Sequence, residues 1–185
     1  MVAVVRTVLA IVSLVASALA AAQVPAAAPL ERAVKAAYVY KFLAYVDWPA
    51  SAFDSPDAPL VIGVLGADAI AEELRGIVAS RAVGDRAVQV RRLREGDAAA
   101  DVHVLVVGRG EASRLPALAK ALQGHPTLIV AESPGALGSG AMINLVVASD
   151  GRVRFEVSQD AAERSGLKLS SRMLALAQTV RTGGP

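Results

Sequence analysis

The run Val102-His103-Val104-Leu105-Val106-Val107 indicates the fold class of this 185-residue chain. Five of its six residues are aliphatic, which is typical of a strand at the centre of a parallel sheet with both faces covered. Similar apolar runs lie upstream at residues 60–65 and downstream at residues 127–130. Because helical patterns separate the three runs, the sequence predicts an α/β domain.

The other elements follow from periodicity and turn residues. Three further strands are predicted, over residues 88–91, 141–148 and 152–157. Five helices are predicted, over residues 30–46, 69–79, 111–122, 158–164 and 171–181. The expected architecture is one domain over residues 30–182, a mixed six-stranded sheet flanked by about five helices.

A β-hairpin is predicted where Asp150-Gly151 joins two β-rich runs. This dipeptide favours a two-residue turn. Such a turn would place Val147 opposite Arg154 and Leu145 opposite Glu156.

The N-terminal segment reads as an export signal. Arg6 precedes an apolar run, and Ala18-Leu19-Ala20 matches a cleavage pattern. We therefore expect a signal peptide over residues 1–22, cleaved after Ala20 or Ala22, and a flexible leader over residues 23–29. The prolines of the leader argue against the alternative, a membrane anchor. The expected location is the periplasm.

Composition excludes several classes of site. The chain has no cysteine, so disulfides, thiolate metal sites and cysteine nucleophiles are excluded. It has two histidines, too few for a three-histidine metal centre. The net charge of +2 argues against a dedicated nucleic-acid-binding protein.

The chain carries no strong catalytic motif. Gly63-Val64-Leu65-Gly66 meets only part of a dinucleotide fingerprint and is better explained as a tight strand-to-helix turn. There is no phosphate-binding loop and no G-x-S-x-G nucleophile elbow. His103, inside an apolar strand, is expected to be buried and hydrogen-bonded through its ring. We therefore predict a protein that is not an enzyme and that needs no cofactor or metal.

Aromatic residues are concentrated near the start of the domain, six of the seven lying between Tyr38 and Phe53. Helical spacing predicts that Tyr38, Phe42 and Tyr45 pack inward. Tyr40 and Trp48 lie off this pattern and are the candidate ligand or interface aromatics, because Tyr and Trp are enriched at binding hot spots.

Four stretches in order resemble the YfiR family of periplasmic proteins. They are Lys35–Phe42 with Trp48-Pro49, Val61–Gly66, Gly140–Asn144, and Val153–Val157 continuing through Ala161–Ser171. The resemblance spans about residues 31–180. It implies a small, often dimeric, non-enzymatic α/β domain that represses an inner-membrane diguanylate cyclase by binding its periplasmic sensor region. It also implies a role in cyclic-di-GMP signalling and biofilm regulation, with an outer-membrane lipoprotein as a further partner. Since the chain has no cysteine, redox control is not expected.

The partner-binding surface is predicted on the C-terminal hairpin and the helices after it. Its candidate residues are Arg154, Glu156, Glu163, Lys168, Leu169 and Arg172. Leu169 would be an apolar anchor, and the smooth helix surface Leu174-Ala175-Leu176-Ala177 would favour a homodimer. The alternatives are that Glu156 or Glu163 pairs with Arg172 within the chain, and that the domain binds a small ligand in an aromatic pocket near Tyr40 and Trp48.

Overall fold

A mixed β-sheet forms the centre of the fold. The computed structural model describes residues 27–183, so the predicted signal peptide, its cleavage site and most of the leader lie outside the described residues. The α-helices of the described residues are α1 (Ala27–Phe42), α2 (Asp68–Val78), α3 (Leu115–Ala121), α4 (Gln159–Arg164) and α5 (Ser171–Leu174). Short 3₁₀ turns cover Ala50–Ala52, Arg109–Arg114 and Ala136–Ser139.

Ten strands occur in the same part of the chain. They are β1 (Val46–Asp47), β2 (Leu60–Leu65), β3 (Ala82–Val83), β4 (Arg86–Leu93), β5 (Val104–Val107), β6 (Leu128–Ala131), β7 (Ile143–Val147), β8 (Val153–Ser158), β9 (Lys168–Leu169) and β10 (Thr179–Arg181). Eight of them form one sheet in the order β10-β8-β7-β6-β5-β2-β4-β3, while β1 and β9 pair separately. Neighbouring strands are parallel except for β7 with β8 and β3 with β4. The α/β class with a mixed sheet and five helices is confirmed.

The sheet has two additional edge strands that the sequence did not predict. All six predicted strands are present, and β3 and β10 extend the edges by two and three residues. Segments this short carry no periodicity of their own. Their conformation comes from pairing with β4 and β8.

Both faces of the sheet are buried. On one face, Val104 and Val106 of β5 pack in a core with α1 and α2. On the other face, Leu105 and Val107 pack in a second core with α3. The strand side chains alternate between faces, so an aliphatic run with no polar alternation fills both cores.

The hairpin register differs from the prediction by one residue. Leu145 lies opposite Phe155, and Asn144 lies opposite Glu156. The connection is a longer turn over Ala148–Arg152, in which Gly151 has a φ of 76°. This matches a three-residue loop that ends in a left-handed glycine. Glu156 therefore faces an asparagine rather than a leucine.

Two predicted helices end earlier than expected. Helix α1 stops at Phe42, and Val46 pairs with Leu169 in the β1–β9 ladder. Helix α5 stops at Leu174, and β10 then runs parallel to β8. In both cases a distant strand supplies the backbone hydrogen bonds that a longer helix would have made. The segment Leu174–Ala177 is therefore not the helix surface on which the dimer expectation was based.

Candidate functional site

The six candidate partner-binding residues do not form one surface. Phe155 of β8 packs in the core beneath α1, so its neighbours Arg154 and Glu156 face the opposite side of the sheet. Leu169 packs against the α1-side core. Strand alternation therefore divides the predicted set.

Three of the candidate residues lie in different environments: Arg154, Glu163 and Arg172. Arg154 pairs with Asp150 of the hairpin turn at 2.8 Å. Glu163, exposed on α4, accepts a hydrogen bond from Gln159 at 2.8 Å. Arg172 is exposed on α5. Neither Glu156 nor Glu163 lies within ion-pair distance of Arg172 among the described residues, so the structure does not support the alternative of an intrachain partner.

Lys168 and Leu169 lie beside the end of α1. They form β9, paired with Asp47 and Val46. Leu169 is half-buried rather than a protruding anchor. The next residue, Ser170, donates its backbone N–H to the carbonyl of Tyr45 at 2.9 Å and, as predicted, caps α5. This C-terminal turn therefore adjoins the aromatic end of α1.

An aromatic groove of about 330 Å³ lies at this junction. Tyr38 and Phe42 line it from α1, Tyr45 lines it from the turn after α1, and Phe155 lines it from β8. The rings of Phe42 and Phe155 meet edge to face at 5.1 Å. Leu176 lies at the groove with 69% of its surface exposed. We call this feature the aromatic groove. Tyr38 and Tyr45 are only half-buried, so the face predicted to pack inward is also a concave surface.

Tyr40 and Trp48 lie in separate surroundings. The Tyr40 hydroxyl donates to the carbonyl of Ala82 at 3.1 Å, and its ring faces the Arg81 guanidinium at 5.9 Å. The ring of Trp48 lies edge-on to the ring of His103, with 6.4 Å between the ring centroids. These two aromatics therefore do not form the shared pocket that the sequence suggested.

His103 lies beneath the loop that follows Trp48. Its Nδ1 accepts a hydrogen bond from the backbone N–H of Val61 at 3.1 Å. The ring of Phe53 stacks on the imidazole with 4.6 Å between the ring centroids. Burial lowers the pKa of His103 below its ordinary value, which favours the neutral ring with its proton on Nε2. The predicted burial and ring hydrogen bond are present. Nε2 itself has no partner among the described residues.

A buried lysine was missed by sequence analysis. Lys35 of α1 is 3% exposed, and its Nζ lies 2.5 Å from carboxylates of both Glu31 and Glu132. Glu132 follows β6 and also accepts the backbone N–H of Arg109 at 3.4 Å. The i, i+4 spacing of Glu31 and Lys35 can be recognised in the sequence. Glu132 lies 97 residues from Lys35, so no local pattern indicates that the two meet. Lys35, together with Glu31 and Glu132, therefore forms an ionic contact between α1 and the carboxyl end of β6.

A second missed feature is a polar cavity of about 440 Å³, whose lining shares no residue with the aromatic groove. Asn144 and Glu156 line it, together with Arg109, Glu132 and Ser133. Asn144 Nδ2 donates to Glu156 Oε2 at 3.1 Å. We call this feature the polar cavity.

The crevice in which many doubly wound sheets bind ligands is closed here. Strand order reverses between β2 and β5, the point where such sites form. The N–H of Gly108 donates to the carbonyl of Leu65 at 2.8 Å, and a Cβ on Gly108 would overlap the Gly66 carbonyl. Glu111 packs over Gly66. Gly66 thus lies in a turn between β2 and α2, and this turn packs closely against the loop at Gly108.

Among residues 27–183, no group of three or more His, Asp or Glu side chains is arranged to hold a metal ion. None of the helices described is long and apolar enough to span a membrane.

Comparison with known proteins identifies the family. A solved structure, a conserved domain protein from Vibrio cholerae O1 biovar El Tor, is 16% identical with a TM-score of 0.49. The match covers 65% of this chain and 54% of that one, so it spans about half the length of that structure. A search of curated proteins found no match. The family model described as YfiR/HmsC-like matches residues 32–178. The chain therefore belongs to the YfiR/HmsC-like family.

Proposed function

We propose that this protein is a regulatory binding protein that docks on the periplasmic region of a membrane diguanylate cyclase and lowers cyclic-di-GMP output. The observation that carries the proposal is the family match over residues 32–178. Docking requires no catalytic residues. It requires an exposed apolar surface with charge at its edge.

The aromatic groove supplies such a surface. It combines Tyr38, Tyr45 and Phe155 with the exposed Leu176, and Lys41 lies at its lining. Aromatic side chains bury large areas at little conformational cost and dominate binding hot spots. The groove is therefore the proposed centre of the docking surface.

Some of the residues predicted from the sequence to bind the partner belong to the proposed docking surface. Lys168 and Leu169 lie on β9 and Arg172 lies on α5, and we place all three at the rim of the groove. We also include Glu163 on α4 as an extension of the surface, which charge reversal tests. Arg172→Glu should weaken cyclase repression without lowering the melting temperature, since exposed charges contribute only about 0–1 kcal/mol to stability. Glu163→Lys will show whether the surface reaches α4.

The decisive variant is Leu176→Glu. If Leu176 fills a pocket on the cyclase, burying a carboxylate there should weaken binding by about 2 kcal/mol or more, roughly 30-fold. Capture of the cyclase from solubilised membranes and the cellular cyclic-di-GMP level measure this effect. Val147→Glu is the matched control, because Val147 is also exposed, at 44%, but is not among the residues that line the groove. Equal repression by native protein and Leu176→Glu would remove the groove from the proposal.

A second candidate function is binding of a small aromatic ligand in the same groove. The aromatic lining and a volume of about 330 Å³ favour it. The pull-down separates the two functions. Recovery of no membrane protein, with a small molecule carried through purification instead, favours the ligand-binding function.

Export and assembly complete the proposal. We propose cleavage after Ala20 or Ala22, so mass spectrometry of the native protein should show an N-terminus at Ala21 or Gln23. An intact Met1 would contradict export. We also propose a homodimer and an outer-membrane lipoprotein as a sequestering partner, both on family resemblance. Light scattering at micromolar concentration tests the dimer, and a monomer there would remove it.

A further inference from the structure

The polar cavity is separate from the aromatic groove. Asn144 lies on β7 between Ile143 and Leu145, both of which pack in the core beneath α1. Strand alternation therefore turns Asn144 to the other face of the sheet, where it lines the cavity with Glu156. A ligand bound here would not occupy the proposed docking surface.

Asn144 is left with an unused acceptor. Its side chain is buried, the residue being 1% exposed, and its Nδ2 donates to Glu156. Reversing the amide would set two acceptor oxygens against each other, so this hydrogen bond determines the orientation. The remaining atom, Oδ1, has no donor among the described residues. A buried acceptor left without a donor costs free energy, which a matching ligand would recover.

Glu156 adds a negative charge beside that acceptor. It is half-buried and makes no ion pair with any described residue, because Arg154, two positions away, is held by Asp150. The other carboxylate of the lining, Glu132, already contacts Lys35. The lining thus carries two carboxylates and one guanidinium, that of Arg109, a formal charge of −1. Glu156 is the carboxylate that has no ion pair among the described residues, and it lies next to one unsatisfied acceptor.

We propose that the polar cavity binds the primary ammonium group of a small organic amine. An ammonium group carries three N–H donors and a single charge, which suits Asn144 Oδ1 and the Glu156 carboxylate. The buried Ser133 lines the same cavity and provides further acceptor oxygens. An inorganic divalent cation is less well matched. It requires six or more oxygen ligands, and the described residues contain no acidic trio arranged for one.

The sequence offers an unusually direct probe of this site. Asn144 is the only asparagine in the chain, so selective ¹⁵N labelling of asparagine side chains yields one NH₂ group with no assignment step. The probe ligand is putrescine, titrated into the mature protein. 1,4-Butanediol serves as its neutral analogue, and sodium chloride and calcium chloride as salt controls. We expect a saturable shift of the Asn144 NH₂ resonances with the diamine alone.

Charge removal then tests the role of the carboxylate. Glu156→Gln retains an acceptor for Asn144 but removes the charge, and should weaken amine binding by about tenfold or more. Glu95→Gln is the matched control, since it makes the same charge change at an exposed loop residue and should leave the affinity unchanged.

Three outcomes would overturn the proposal. They are the absence of a shift with putrescine, a shift reproduced by butanediol or by either salt, and unchanged affinity in Glu156→Gln. Should Glu156→Gln fail to fold, the titrations of the native protein still decide the matter, because the labelled amide lies in the site. None of these measurements involves a cyclase, so the result is independent of the proposed function.

Discussion

Replacing Lys35 by methionine should remove the ion pair between α1 and Glu132, the residue that follows β6. The lysine is almost wholly buried, and its Nζ lies 2.5 Å from both Glu31 and Glu132. Methionine occupies a similar volume, so the substitution changes charge with little change in packing. It leaves Glu132, whose side chain is only 15% exposed, without its cation.

The expected loss follows from this burial. Removing one partner of a buried ion pair costs about 3–5 kcal/mol, because the other charge stays buried without compensation. Glu31 is 35% exposed and can turn to water, so its share of the loss is small. We expect Lys35→Met to lower the free energy of unfolding by about 3 kcal/mol. For a domain of this size that lowers the melting temperature by roughly 6–12 °C.

Urea unfolding followed by circular dichroism measures the difference. Arg32→Met is the control, since Arg32 lies on the same helix and pairs with Glu73 at 3.1 Å, but both side chains are substantially exposed. It should cost only about 0–1 kcal/mol. The double variant Lys35→Met/Glu132→Gln should recover part of the loss, because the orphaned charge is gone. If Lys35→Met is no more costly than Arg32→Met, the argument from burial is wrong.

Two further predictions concern the interior of the domain. Burial lowers the pKa of His103 below 6.5, so the neutral ring is favoured in the folded state and its contribution to stability is lost as pH falls through the folded pKa. Unfolding experiments between about pH 7 and pH 4 should therefore show a steeper acid loss in native protein than in His103→Gln; parallel curves for the two would contradict the assignment. Gly108→Ala should destabilise the domain by about 3 kcal/mol or more, because its Cβ would overlap the Gly66 carbonyl, and Gly110→Ala, with open space around it, should cost under about 1 kcal/mol. Similar melting temperatures for the two alanine variants would show that the loops can separate at little cost.

Local signals in the sequence were sufficient for the central architecture. The aliphatic runs at residues 60–65 and 102–107 predicted buried strands, since only a strand covered on both faces accommodates such a run. Ser170 predicted the start of α5, because its side chain accepts the N–H of Met173 three residues later. Each of these signals depends on neighbours within a few positions.

What the sequence could not reveal depends on residues far apart in the chain. Val46 and the segment after Leu174 are strands only because Leu169 and β8 offer them backbone partners.

The same reason applies to the two polar features. A lysine on a helix is normally expected to be exposed to solvent. Lys35 is buried because the fold brings Glu132, 97 residues away, into contact with it. Asn144 meets Glu156 because a left-handed glycine shifts the hairpin register by one residue. The sequence by itself therefore determined the six main strands and the layers they form with the helices. Tertiary structure decided which polar groups meet inside, because the cost of burying them is set by partners that no local pattern encodes.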